Sequence, residues 1–427
     1  MRNFFARHTE FVGNVAILMS GKTTAALIAL FTMPIVSRLF TPDDFGVAAM
    51  FASIIGIASN GASLRYEAAV ALPKEEAEAI TLMAVAYRIL FFVCFTLLFL
   101  IAAYEISGVN WSAFDSLGVW VWFLPLGVLL MSAIHIQESW LTRTGSFKIA
   151  STSLVVGNSI TSGTRIGLGA LFGSSVSSLV IGNLLGFSSQ LAVQKSASRE
   201  GIRAAFGRIG WSAMRDIAHR YADFPKYNAL AGMVFAIGQN LPVLLFGVMF
   251  SPVVAGFYAM ANRLFQVPVS IVATSMRRVF LQKATAIHNR GGSLRKAFLL
   301  STGGLALLGA PPFACLWLFG QPLLTWLLGE SWSVAGQYLE IMAPWLFSVW
   351  VAAPSNSVFV VLREQRFFLY RQSGLTALRL GAFGLAYGLS AGPEWTLQAF
   401  GTVTVVTNLL TILSTLLMIA RKSKSEP

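Results

Sequence analysis

The amino-acid sequence predicts an all-α polytopic membrane protein with twelve transmembrane helices, arranged as two parallel six-helix bundles around a central cavity. Of its 427 residues, 56% are hydrophobic and only 11% are charged, whereas about a quarter of the residues in soluble domains are charged. The apolar residues form twelve long runs, and most basic residues lie on one side of them. A soluble protein of this length needs far more charge to cover its surface, so that class is excluded.

Each apolar run is long enough for a membrane helix, which needs about 20 mostly apolar residues. Charged or turn-forming residues bound every run. The predicted spans are 11–33, 46–64, 80–103, 117–136, 149–171, 175–194, 227–250, 253–275, 297–319, 339–361, 372–390 and 395–420.

The basic residues support this number of spans. Twelve spans place 25 of the 31 Lys and Arg residues in segments on one side of the membrane, and only Arg38 in a segment on the other side. Cytoplasmic loops of membrane proteins are enriched in Lys and Arg. Both termini are therefore predicted to be cytoplasmic.

Basic residues also occur inside the predicted spans, where no Asp or Glu clearly lies. A charge within the membrane is costly unless it is paired or faces water. We therefore expect these cations to line a hydrated cavity and to bind an anion. They are Lys22, Arg88, Arg165, Arg263 and Arg379.

A structural role is an alternative for two of these residues. Arg165 and Arg379 lie about six or seven residues from a span end, so their side chains can extend to the membrane surface. Asn158, Thr161 and Ser162 share one helix face with Arg165. Such a polar stripe can line a cavity or pack helices together.

One motif occurs twice, 210 residues apart. Phe40-Thr41-Pro42 with Gly46, Ala49 and Met50 recurs as Phe250-Ser251-Pro252 with Gly256, Ala259 and Met260. Thr or Ser followed by Pro is typical of a helix N-cap. Because the motif begins the second helix of each half, it indicates a duplication with both halves in the same orientation. The predicted domains are bundle 1–194, a basic cytoplasmic linker 195–226, and bundle 227–427.

The linker contains an amphipathic segment. Arg215 and Arg220 alternate there with Trp211, Met214 and Ile217. This pattern is typical of a helix lying on an anionic membrane surface, and a solvated linker helix is the alternative.

Four stretches resemble a known family: residues 38–46 (RLFTPDDFG), 64–67 (LRYE), 223–228 (DFPKYN) and 256–264 (GFYAMANRL). The sequence resembles the polysaccharide (O-antigen type) flippases of the multidrug/oligosaccharidyl-lipid/polysaccharide exporter superfamily. The resemblance implies movement of an undecaprenyl-diphosphate-linked oligosaccharide from the cytoplasmic to the periplasmic leaflet of a bacterial inner membrane, for cell-surface polysaccharide biosynthesis. Arg263 lies within one of the matching stretches.

Such a substrate suits the polar residues of the spans. Basic side chains can bind its diphosphate, while its polyprenyl tail remains in lipid. Side-chain amides can bind its glycan, and the candidates are Asn60, Asn158, Gln239, Asn240 and Asn262. We expect no cofactor, no metal and no nucleic acid; the expected partners are the lipid-linked oligosaccharide, membrane lipids and other polysaccharide-assembly proteins.

Two transporters of the same fold are alternatives. A peptidoglycan-precursor flippase would share the basic cavity. A cation-coupled multidrug exporter would use membrane carboxylates, which the predicted spans lack. An enzyme is not expected, because the longest outer loop has about 19 residues and Glu330 is its only ionisable group.

Overall fold

The computed structural model describes residues 2–108, 116–197, 209–264, 284, 287, 293–362 and 365–425. These residues fold into thirteen helices and contain no strand. The helices are α1 Arg2–Leu39, α2 Pro42–Gly61, α3 Glu76–Ser107, α4 Leu124–Arg143, α5 Phe147–Phe172, α6 Val176–Ala197, α7 Trp211–Arg220, α8 Leu230–Met249, α9 252–264, α10 Leu294–Leu328, α11 Ser333–Val361, α12 Gln365–Gly388 and α13 Pro393–Ser425. The chain divides into two compact units, Met1–Gly256 and Phe257–Pro427.

Every predicted span overlaps one of these helices, and α7 is the additional helix. Residues 265–275 of the eighth span lie outside the described residues. In the described part of the chain, eight helices are long and apolar enough to cross a membrane; the other four that overlap predicted spans are α5, α9, α11 and α12. The all-α membrane class is thereby confirmed, while the total of twelve spans, the two bundles and the cavity stay predictions.

Helix α4 is displaced from its predicted span of 117–136. A 3-10 turn, Gly118–Phe123, precedes it, and Pro125 lies in its first turn, where a missing backbone N–H costs little. The helix continues to Arg143 and therefore includes Glu138. Glu138 is therefore part of the helix but lies beyond the predicted span, which ends at residue 136.

Both copies of the repeated motif cap a helix, as predicted. Thr41 Oγ1 accepts the backbone N–H of Asp44 at 3.2 Å, and the Asp44 carboxylate accepts the Thr41 N–H at 3.4 Å. Pro42 occupies the first helical position. In the second copy, Ser251 Oγ accepts the backbone N–H of Val254 at 3.4 Å.

The two copies also pack against each other within the first unit. A Cβ atom on Gly46 would overlap the carbonyl of Pro252, and a Cβ atom on Gly256 would overlap the carbonyl of Pro42. The glycines are related by the 210-residue repeat, and so are the prolines, so the contact is reciprocal. Glycine is required at both positions because the backbones approach so closely.

Helices α1, α5 and α6 pack through polar and small residues. Thr32 on α1 donates to Ser162 on α5 at 3.1 Å. Gly157 on α5 and Gly186 on α6 leave no room for a side chain at the crossing of these helices. Packing of this kind is common between membrane helices, where small residues allow close approach.

In the second unit, α10 is broken near its end. Phe319 has non-helical dihedral angles, and Pro322 follows; a proline inside a helix clashes with the preceding turn. Glu340 on α11 accepts the backbone N–H of Gln321 at 2.7 Å. The carboxylate thus pairs with a donor that the break releases.

The amphipathic segment of the linker is helix α7. Met214 is buried, whereas Trp211 is exposed. Arg220 forms a 2.8 Å ion pair with Glu78 on α3, which anchors α7 to the first unit. The linker residues 198–208 lie outside the described residues.

Candidate functional site

The chain turns sharply where α2 ends. Leu64 and Arg65 both have left-handed backbones, with φ of 50° and 60°, although neither is glycine. Such conformations cost about 1–3 kcal/mol each and occur preferentially at functional sites. A short 3-10 helix, Tyr66–Ala69, follows directly.

Glu67, in this short helix, is buried with 3% of its surface exposed. Ser63 donates its hydroxyl to Glu67 Oε2 at 2.6 Å. Arg65 Nη1 lies 3.6 Å from Glu67 Oε1, which is an ion pair but too long for a strong hydrogen bond. Glu67 therefore orients Arg65 without occupying its donors.

The guanidinium of Arg65 lies against α8. A Cβ atom on Gly232 would be 3.1 Å from Arg65 Nε, so a methyl group there would press against the guanidinium. Among the described residues, the buried Nε atom has no hydrogen-bond partner. About a third of the side chain remains accessible (30%).

Helix α4 contributes two more titratable residues. His135 is near enough to Arg65 to interact electrostatically, and within the described residues its Nδ1 atom is buried without a hydrogen-bond partner. Glu138, one turn later, attracts Lys22 of α1. We call Lys22, Arg65, Glu67, His135 and Glu138 the Arg65 cluster.

Neighbouring contacts hold this turn in place. Arg143 at the end of α4 donates to the carbonyls of Val70 and Pro73 at 3.1 and 2.6 Å, and to the carbonyls of two further loop residues. The hydroxyl of Tyr66 donates to the carbonyl of Ala218 on α7 at 3.1 Å. Burial raises the pKa of Tyr66, which keeps this hydroxyl protonated as a donor.

The predicted anion-binding residues of the first unit have three different environments. Lys22 is exposed and belongs to the Arg65 cluster. Arg88 is exposed on α3. Arg165 is buried and donates from Nη2 to Asn183 Oδ1 on α6 at 2.6 Å, so its geometry favours the alternative of helix packing.

The other two predicted cations lie in the second unit. Arg263 is half-buried on α9, and Arg379 is half-buried on α12. Arg379 is near enough to Tyr258 to interact electrostatically. In the described part of the chain, its buried Nε atom has no hydrogen-bond partner.

Three of the five predicted glycan-binding amides donate to their own helices. Asn60, Asn158 and Asn240 each donate to the carbonyl four residues earlier, at 2.9, 3.0 and 2.9 Å. Gln239 is exposed, and Asn262 is half-buried. A role in glycan binding stays a prediction for all five.

Sequence reasoning missed Arg65, His135 and Glu138 as site residues. The predicted spans leave Arg65 in a cytoplasmic loop, although it lies in a stretch that resembles the flippase family. Glu138 lies outside the predicted span of 117–136, whereas α4 extends to Arg143. No group of three or more His, Cys, Asp or Glu residues within the described ranges could hold a metal ion.

The profile of a family described as "Polysaccharide biosynthesis protein" matches residues 35–337, well over half of the chain. A comparison with curated protein sequences found no match.

Solved structures show which fold the chain shares. The lipid II flippase MurJ in an inward closed conformation is similar with a TM-score of 0.76 at 12% identity, over 95% of this chain and 90% of that chain. A multidrug resistance MATE family transporter is similar in its inward-facing form, with a TM-score of 0.64 at 14% identity over 97% and 99%. A structure of a multidrug resistance MATE family transporter in an outward-facing conformation gives 0.58 at 16% identity over 97% and 96%. At these identities the similarity establishes the fold alone.

Proposed function

Because the chain belongs to the polysaccharide biosynthesis protein family, we propose that it is a flippase for an undecaprenyl-diphosphate-linked oligosaccharide. It moves this lipid from the cytoplasmic to the periplasmic leaflet of a bacterial inner membrane. The polysaccharide biosynthesis family and the fold that the chain shares with transporters both support a transporter rather than an enzyme.

The observation that carries the proposal is the unneutralised positive charge on membrane helices. Across the described residues, no carboxylate lies within ion-pair distance of Arg88 or Arg263. Cations in such positions are costly unless water or an anionic ligand compensates them. A diphosphate supplies that anion, and Arg binds phosphate through two parallel hydrogen bonds.

The glycan and the polyprenyl tail of the substrate would lie in different places. The glycan would occupy the predicted cavity and contact the amides there, while the polyprenyl tail stays in lipid. The two predicted bundles would then rock about the bound head group, exposing it first inside and then outside. Both termini remain in the cytoplasm throughout.

The central test is flipping by purified protein. We expect proteoliposomes to move a fluorescent lipid-linked oligosaccharide between leaflets, measured by its accessibility to a membrane-impermeant quencher. Arg263→Ala should slow flipping by about tenfold or more, whereas Arg263→Lys, which keeps the charge but loses the two-pronged geometry, should retain part of the rate.

Arg295→Ala is the matched control, because it removes an exposed positive charge at the start of α10. It should flip at the wild-type rate. Absence of flipping by the wild-type protein would contradict the proposal, and full activity of Arg263→Ala would assign Arg263 a structural role.

The similarity to MurJ makes lipid II the second candidate substrate. Lipid II also carries a diphosphate, so the basic residues do not discriminate against it. The same assay with fluorescent lipid II decides between the two candidates, since a peptidoglycan-precursor flippase should prefer it. A cationic drug, the substrate of a multidrug exporter, is the third compound to be tested for transport.

A further inference from the structure

We propose that Arg65, supported by His135, is a further contact for the diphosphate of the lipid-linked substrate. This inference rests on the proposed function and adds a site that the membrane-embedded cations do not include. It places the first capture of the substrate where α2, α4 and α8 meet, at the same end of the first unit as α7.

The backbone and one carboxylate hold Arg65 in advance of binding. Leu64 and Arg65 keep left-handed conformations that non-glycine residues adopt only when their surroundings fix them. Glu67 is buried, and Ser63 fixes one of its oxygens while the other faces Arg65. A residue oriented this way loses little freedom when it binds a ligand.

Among the described residues, no strong hydrogen bond occupies this guanidinium. Glu67 is 3.6 Å away, and Arg65 Nε is buried without a partner among the described residues. His135 Nδ1, near Arg65, is likewise unpartnered there. The accessible part of the Arg65 side chain (30%) is where an anion would bind this guanidinium.

Arg143 provides the internal comparison. It lies at the end of α4, but its guanidinium donates to four backbone carbonyls of residues 70–75. Those bonds leave it no role toward a ligand. Arg143 and Arg65 lie near the same loop, but we expect them to differ in function. The guanidinium of Arg143 donates to backbone carbonyls, whereas Arg65 keeps a donor without a partner among the described residues.

The test measures binding of farnesyl diphosphate and farnesol, a matched pair with and without the anion, to the full-length protein in nanodiscs. Arg65→Gln should weaken farnesyl diphosphate binding by about tenfold or more, and Arg65→Lys by less. Gly232→Ala, which keeps every charge but places a methyl group beside Arg65 Nε, should weaken it several-fold. Farnesol binding should not change in any variant.

Lys74→Gln is the control, since it removes an exposed positive charge from the same loop and should bind like the wild type. Equal preference of the wild type for both probes would contradict the proposed function itself. A wild-type preference for farnesyl diphosphate that survives in Arg65→Gln would overturn this inference alone. An equal loss of farnesyl diphosphate binding in Lys74→Gln would also overturn it, because the effect would then come from the overall charge of the loop.

Discussion

At the residue scale, partners decide what each arginine does. Arg165 is buried and bonded to Asn183, Arg143 is bonded to backbone carbonyls, and Arg65 retains a donor without a partner among the described residues. A guanidinium keeps its charge in proteins, so these differences arise from geometry and not from ionisation.

Arg165→Met tests the structural role of the buried arginine. The substitution keeps an unbranched side chain but leaves Asn183 without its donor, so we expect about 2 kcal/mol of lost stability. Thermal unfolding of the purified protein measures the loss. The double variant Arg165→Met with Asn183→Leu should recover part of it. An unchanged melting temperature together with abolished flipping would instead place Arg165 in the transport path.

The sequence predicts part of the surroundings of Arg165 and not the rest, for a physical reason. The stripe of Asn158, Thr161, Ser162 and Arg165 could be predicted, because its members are spaced along one helix. The bond from Arg165 to Asn183 could not, because it joins two helices and depends on how they pack. Spacing within an element is local information, whereas contacts between elements are set by tertiary structure.

At the element scale, the repeated turn is the clearest agreement between sequence and structure. Thr41 and Ser251 cap their helices as the motif predicts. The reciprocal contact of Gly46 and Gly256 adds what the sequence could not show, namely that the two copies meet. Helix α4 shows the opposite case. The helix extends to Arg143, beyond its apolar run, so hydropathy does not predict that Glu138 belongs to it.

Gly46→Ala and Gly256→Ala test this contact. Each added methyl group would overlap a backbone carbonyl, which cannot rotate away as a side chain can. We expect each variant to lose about 1–3 kcal/mol of stability, measured by thermal unfolding. Gly163→Ala is the matched control, because nothing lies within 4 Å of its added methyl group. Wild-type stability in Gly256→Ala would mean that the two turns do not touch in the protein.

At the scale of the whole molecule, the charge asymmetry says most about membrane orientation. The predicted spans place 25 basic residues on one side and one on the other. Hydropathy alone supports fewer than twelve spans, since eight described helices are long and apolar enough to cross a membrane. Helix α5 shows why, because its polar residues lower its mean hydropathy, although Arg165 and Ser162 bond to other helices. The orientation itself depends on charge, which the fold does not determine.

Labelling at the two ends of α10 tests that orientation. Ser293 precedes this helix and Ser331 follows it, and both are exposed. The unbroken part of this helix, residues 294–318 before the break at Phe319, is about 37 Å long, which exceeds the membrane's apolar thickness of about 30 Å. The two positions should therefore face opposite sides. Since Ser293 lies within the basic segment 277–296, we expect an impermeant thiol reagent in the periplasm to modify Ser331→Cys and to spare Ser293→Cys, in a background without Cys94 and Cys315. The opposite pattern would invert the orientation, and labelling of both positions from one side would mean that α10 does not cross the membrane.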